Sequence, residues 1–250
     1  MSGLGARLRN LDQRRRYLTF KARTAGDPEL GERRDVFRHC FKALAFNGIE
    51  GHYAEFGCFG GRTFRLAYSA SRLARYPTHL WAFDSFMGLP PPEDQRDLHP
   101  RWVPGSMATG EARFRAVCAR HGIPPSDYTV VAGYYARSLA AGAPGQRPEV
   151  VSFAYVDCDL YSSTVDVLRF LEPRLRAGSI LVFDDYYCYG ADGPSGERAA
   201  MLEVFPESGD TALLPYHPVG WHGMSFIVER RAAGTERTAT GWGRSAHLRP

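Results

Sequence analysis

Phe153-Ala-Tyr-Val-Asp-Cys-Asp-Leu-Tyr-Ser-Ser-Thr164 decides how this chain is read. An apolar run, Val150 to Val156, drives into Asp157 and Asp159, and a hydroxyl-rich segment, Tyr161 to Thr164, opens a helical stretch from Val165 to Leu175. A buried strand that ends in carboxylates beside a helix N-terminus places charge at a sheet edge, where a metal or substrate reaches it. On this stretch alone a second reading stays open. The acids then cap the next helix, whose free N–H groups Asp, Ser and Thr oxygens satisfy.

The same rhythm repeats outward. His52–Phe59 reads as a first strand running into Gly60-Gly61-Arg62-Thr63 and a helix to about Arg75, and Thr78–Phe83 as a second strand ended by Asp84. Tyr128–Gly133, Val150–Val156 and Ser179–Phe183 follow as strands, the last ending in Asp184-Asp185. Helices are expected over Leu30–Asn47, Gly110–His121 and Gly196–Phe205, from apolar residues at helical spacing. Strands alternating with helices predict an α/β fold with a parallel, doubly wound, Rossmann-like sheet. Two late strands, Ala212–Tyr216 and Met224–Glu229, have no long helix between them and predict an antiparallel edge. Ligands on such sheets sit beyond the carboxyl ends of the strands. Asp84, Asp157, Asp159, Asp184 and Asp185 all fall there.

Met87–Gly110 breaks the alternation. Pro90-Pro91-Pro92, Pro100 and Pro104, with Trp102, make a long loop, and long loops inside compact domains are usually functional; a lid is expected. Residues 1–50 read as a basic arm and helical extension, 51–231 as the domain, and 232–250, rich in Gly, Thr and Arg, as a disordered tail.

The net charge of +4 belongs to the arm: residues 1–24 hold six Arg and Lys21 against Asp12, and the remainder carries 24 basic against 26 acidic residues. A nucleic-acid partner wants a basic face on the fold with interleaved aromatics, so the arm is read instead as an interface, with homo-oligomer contacts in view, or as a solvated helix. Five cysteines, odd in number and without a CxxC pair, read as buried thiols. No apolar run reaches the roughly 20 residues of a membrane span, and a cytoplasmic protein is expected.

Glu55-Phe-Gly-Cys-Phe-Gly-Gly61 puts glycines where backbone approaches a ligand closely. It lacks both the Lys of a Walker loop and GxGxxG spacing. A glycine turn followed by Asp84, placed to accept hydrogen bonds from a ribose diol, suits a nucleoside whose charged group is not a phosphate. S-adenosylmethionine is the candidate. At the other end, carboxylates on the fourth and fifth strands converge if those strands are neighbours, about 4.8 Å apart. Asp184 and Asp185 point to opposite faces unless the chain turns. Oxygen ligands without paired His or Cys favour Mg²⁺.

Glu55-Phe-Gly…Gly-Gly-Arg-Thr, Phe83-Asp-Ser-Phe-Met-Gly-Leu-Pro90, Val156-Asp-Cys-Asp-Leu-Tyr161 and Val182-Phe-Asp-Asp-Tyr186 together resemble the macrocin O-methyltransferase family, over about Tyr53 to Val228. The resemblance implies a class I, S-adenosylmethionine-dependent and Mg²⁺-dependent O-methyltransferase acting on a hydroxyl of a natural-product sugar or similar intermediate. It implies Glu55, Gly57, Gly61 and Asp84 as cofactor-holding residues, with Ser85 and Phe86 lining the adenosine. Gly133 and Tyr134 fall on the adenine side, with Ser138 close by, and Asp157, Asp184 and Asp185 fall on the metal ligands. Arg62 stands where the family usually has Ser or Thr. The expected base is Asp157, His217 or His222.

Two rivals remain on residues alone. Asp157-Cys-Asp159 also resembles the DxD of haloacid-dehalogenase phosphatases, but that mechanism wants a Lys before Asp184, and the 24 intervening residues supply none. A non-catalytic nucleotide-binding or interaction module is the other.

Overall fold

The computed structural model describes residues 14–15, 17–22, 24–140, 146–188 and 193–231; the expected tail at 232–250 lies outside them. After helical residues at 14–15 and 17–22, helix α1 (Pro28–Asn47) is capped by Asp27, whose carboxylate accepts from Leu30 N at 2.9 Å, with Pro28 in its first turn. The chain continues through β1 (His52–Phe56), α2 (Arg62–Ala74), β2 (Leu80–Asp84), α3 (Glu111–Arg120), β3 (Tyr128–Ala132) and the one-turn α4 (Tyr135–Ser138). It then forms β4 (Val151–Val156), α5 (Tyr161–Leu171), β5 (Ile180–Phe183), α6 (Gly196–Val204), β6 (Thr211–Val219) and β7 (Gly223–Arg230).

The seven strands lie in the order β3-β2-β1-β4-β5-β7-β6, parallel except for β7, which runs against both of its neighbours. This is the expected doubly wound α/β sheet. The order reverses between β1 and β4, where such sheets open a crevice for ligands.

Period-2 alternation divides the strand side chains between two apolar layers. Tyr53, Phe153, Tyr155, Ile180 and Val182 pack with Phe37, Phe41 and Leu44 of α1 and Phe64 of α2. Phe56, Phe83, Val156, Leu181 and Phe183 pack with Val167, Leu168 and Leu171 of α5 and Ala200 of α6. Helix α1 therefore shares the core of the sheet. Among the described residues no helix is long and apolar enough to cross a membrane.

Two boundaries differ from expectation in a way that matters below. Strand β1 ends at Phe56, because Gly57 turns the chain at φ +89°. Helix α5 starts at Tyr161, so the hydroxyl-rich segment is its first turn.

Candidate functional site

The two chain reversals at the switch point touch. Asp157 N donates to Phe56 O at 2.8 Å, and a Cβ added to Gly57 would sit 1.8 Å from Asp157 O. Only glycine fits there. Above this contact opens a cavity with about 660 Å³ of empty volume, part of it open to solvent, bordered by Gly57, Asp84, Ser85, Tyr134, Asp157 and Asp159.

One end of the cavity is built around Asp84. One of its carboxylate oxygens accepts from Cys58 N and Phe59 N at 2.7 and 2.8 Å, and the other from Phe86 N at 2.6 Å. Burial pushes this carboxyl up, and the three backbone N–H groups pull it back. Ser85 bridges the next turn, accepting from Met87 N at 3.0 Å and donating to Gly88 O at 2.9 Å.

Other expected cofactor residues stand behind the wall. Glu55 is fully buried and accepts from Tyr53 OH and, at 2.7 Å, from Thr63 Oγ1. It supports the turn between β1 and α2. Burial raises its carboxyl to about 8, against those two hydrogen bonds. The Phe86 ring points into the core, 5.7 Å from Phe114, and does not border the cavity. Gly61 caps α2 against Phe114, and Ser138 is buried, donating to Gly133 O at 3.0 Å.

The loop before α3 borders the cavity through Gly88, Leu89, Pro90 and Met107. Its neck is closed by Leu89 N to Ser106 O at 3.0 Å and Gly105 N to Leu89 O at 2.8 Å. The buried carboxylate of Asp97 accepts from Ser162 N at 2.8 Å and Ser162 Oγ at 2.9 Å, so the loop itself caps α5. The Arg96 guanidinium lies 3.6 Å from the centre of the Tyr161 ring, and Trp102 rests against Gly196.

The capping by Asp97 frees Asp159, which does not cap α5 as the bland reading had it. Asp159 sits at φ +61°, and its carboxyl hydrogen-bonds Asp185. Burial and then the Asp185 charge hold Asp159 well above the usual carboxylate range; burial and then Asp184 do the same for Asp157.

Asp184 and Asp185, adjacent in sequence, part company. Asp184 continues the Ile180-Val182 side of β5 toward α1, where Arg33 meets both of its oxygens, Nε at 2.9 Å, and Tyr155 OH donates to one of them. Asp185 lies with Asp157 and Asp159: one oxygen from each of these three falls within 4.8 Å of the others.

Of the expected ligands, Asp157 and Asp185 bring oxygens together with one of Asp159, while Asp184 is engaged by Arg33. Oxygens held by magnesium at about 2.1 Å lie about 3 to 4 Å apart, a separation compatible with three oxygens that already lie within 4.8 Å of one another. This all-oxygen set fits a hard dication. A second grouping, Asp184, Asp185 and His222, has comparable spacing, but its Asp184 is spent, and His222 Nδ1 faces Asp184 O at 2.6 Å.

Neither histidine expected as a base borders the cavity. His222 is buried behind Asp184, and the His217 ring packs 5.0 Å from His39 of α1. Asp157 does border the cavity, and among the described residues no donor reaches its carboxylate.

Sequence reasoning missed Arg33 and Glu197. Glu197 is fully buried and accepts from Cys158 N at 3.0 Å and Asp185 N at 2.9 Å. A charged residue inside a stretch of helical periodicity was the one available signal for either.

A family model described as Macrocin-O-methyltransferase (TylF) matches residues 4–193. Curated relatives include an 8-demethyl-8-(2,3-dimethoxy-alpha-L-rhamnosyl)-tetracenomycin-C 4'-O-methyltransferase of Streptomyces olivaceus, 28% identical over 161 residues, covering 62% of this chain and 60% of that protein. A mycinamicin III 3''-O-methyltransferase of Micromonospora griseorubida is 27% identical over 169 residues, with 62% and 63% covered. The chain thus spans under two thirds of the length of these two relatives. Among solved structures, the O-methyltransferase NovP superposes with a TM-score of 0.65 at 22% identity, over 81% of each chain. The calicheamicin methyltransferase CalS11 gives 0.61 at 25% identity, over 78% of this chain and 77% of that one.

Proposed function

We propose that this chain, which belongs to the macrocin-O-methyltransferase (TylF) family, transfers the methyl group of S-adenosylmethionine to a hydroxyl of a small molecule, a sugar or another hydroxylated natural-product intermediate. The observation that carries the reading is the position of Asp157. It stands on the switch-point contact with Gly57, in one cavity with Asp84 at one end and Asp159 at the other, and an Asp185 oxygen converges on those of Asp157 and Asp159. The tetracenomycin relative supports a sugar acceptor, since its name gives a rhamnosyl-bearing compound as what it methylates.

In this reading the nucleoside lies across Gly57, Asp84, Ser85 and Tyr134, where the lone pairs that Asp84 leaves unused meet the ribose diol. Asp157, Asp159 and Asp185 would hold Mg²⁺, with Asp184 tied to Arg33 beside them. A cation held there would supply Lewis acidity that lowers the pKa of an acceptor hydroxyl, as metals do for bound water. Asp157 takes the proton, the resulting oxygen attacks the sulfonium methyl in line, and the carbon–sulfur bond breaks to release S-adenosylhomocysteine. No covalent enzyme intermediate is needed, so positioning supplies much of the rate; well-aligned reactions reach effective molarities on the order of 10⁵ M or more. The loop carrying Leu89, Pro90 and Met107 excludes water from the cavity.

The test is transfer of labelled methyl from S-adenosylmethionine to a panel of deoxysugar glycosides, with and without EDTA. Labelled product that vanishes with EDTA and returns with Mg²⁺ is expected. Transfer indifferent to EDTA removes the ion from the reading. Absence of calorimetric heat with S-adenosylhomocysteine removes the cofactor.

A further inference from the structure

We propose that Glu197 is a positioning residue, which fixes the separation of the two acid-bearing loops and so sets the geometry of the cation site. The inference rests on the reading of Asp157, Asp159 and Asp185 as that site.

Glu197 enters from α6, on the face of the sheet away from α1. Its Oε1 accepts from the backbone N–H of Cys158, the residue between Asp157 and Asp159, at 3.0 Å. Its Oε2 accepts from the backbone N–H of Asp185 at 2.9 Å. One side chain thus ties the exit of β4 to the exit of β5 at the residues that carry the converging oxygens. With both oxygens engaged on amides, Glu197 is in neither of the groups that could hold an ion. It grips the loops, and the loops carry the ligands.

The arrangement is costly. Glu197 is fully buried, and burial, followed by the Asp185 charge, pushes its carboxyl well above the usual carboxylate range. An apolar side chain at this place would fill the space without bringing a fourth carboxyl group to the cluster. What an apolar residue cannot do is accept from two backbone amides at once. The N-terminal turn of α6 offsets part of the cost, since acidic groups are favoured there. A glutamine replaces one acceptor with a donor, so it holds one loop and repels the other. An aspartate keeps both oxygens on an arm one methylene too short to reach both amides.

Mn²⁺ binding to the full chain, read by the paramagnetic resonance signal of the free ion, tests this, with S-adenosylhomocysteine affinity measured by calorimetry beside it. Glu197→Gln is expected to weaken Mn²⁺ at least tenfold while leaving S-adenosylhomocysteine affinity within twofold. Glu197→Asp is expected to weaken Mn²⁺ several-fold as well, although it keeps the charge. Wild-type Mn²⁺ affinity in Glu197→Asp with loss in Glu197→Gln makes the residue a source of charge only, and overturns the positioning role. Unchanged affinity in both variants overturns it too, and loss of both ligands in both variants makes Glu197 a general prop and does the same. Failure of the wild-type chain to bind Mn²⁺ is a separate outcome, which removes the cation site and the inference with it.

Discussion

The two ends of the cavity treat carboxylates in opposite ways. At the end proposed for the nucleoside a single carboxylate, Asp84, accepts three backbone N–H groups. Around the other end, among the described residues, Asp157, Asp159, Asp185 and Glu197 together accept two, and Glu197 takes both. The first end is complete before any ligand arrives; its donors and acceptor fix one another, and a neutral diol needs only the remaining lone pairs. The second is left short of positive charge, with Arg33 already given to Asp184. Like charges crowded in this way stay protonated or gather a cation. The contrast teaches how one sheet edge serves two kinds of ligand.

The comparison can be broken at several points. The largest effect is expected from Asp157→Asn, which should lower methyl transfer by about three orders of magnitude, the scale of losing an acid–base group. Affinity for S-adenosylhomocysteine by calorimetry should stay near the wild-type value. Near-normal turnover in this variant would show that Asp157 is not the base.

Next comes Gly57→Ala, the substitution that joins the two ends. A Cβ placed 1.8 Å from Asp157 O cannot be accommodated without moving β4's exit, so a loss of about 3 kcal/mol is expected from urea unfolding. Cofactor and Mn²⁺ binding should weaken together. Weakening of one alone would mean that the ends are less tightly joined than the contact implies.

Asp84→Ala should act on one end only. It leaves three N–H groups without their acceptor and removes the ribose partner, so cofactor affinity should fall about 10- to 100-fold, the equivalent of one or two lost hydrogen bonds to a charged group. Mn²⁺ affinity should not change.

A further prediction concerns Glu55. Its carboxyl is raised to about 8 in the fold from an ordinary value near 4.5. The neutral form is favoured in the native state, so its contribution to stability is full below the ordinary value and is lost as pH rises to about 8. The slope is at most about 1.4 kcal/mol per pH unit. Thermal unfolding of Glu55→Gln between pH 5 and pH 8 should decline less steeply than that of the wild type; parallel curves would contradict the shift.

Of the nine residues expected at the cofactor, four border the cavity, and the reason these were legible is local. Glycine turns and strand-end acids act within a few residues of where they stand, so Gly57, Asp84, Ser85 and Tyr134 were placed by reading outward from each strand. The sheet, including the reversed β7, was legible for the same reason. The Phe86 ring, by contrast, packs in the core near Phe114 and does not border the cavity. The acid end was legible in composition but not in assignment. Asp184 and Asp185 differ only in which face of the pleat they occupy, and what waits on each face, Arg33 of α1 or Glu197 of α6, comes from 151 residues upstream and 12 residues downstream respectively. Asp159 resembled a helix cap until Asp97, 65 residues before Ser162, took that task.

The closed neck of the loop before α3 has a bearing on how such chains diversify. Leu89 pairs with Gly105 and Ser106, and Asp97 anchors the loop's middle on α5. The span between Leu98 and Pro104 is therefore a small ring hung from fixed supports, and its length and sequence can drift without disturbing the cavity wall beneath.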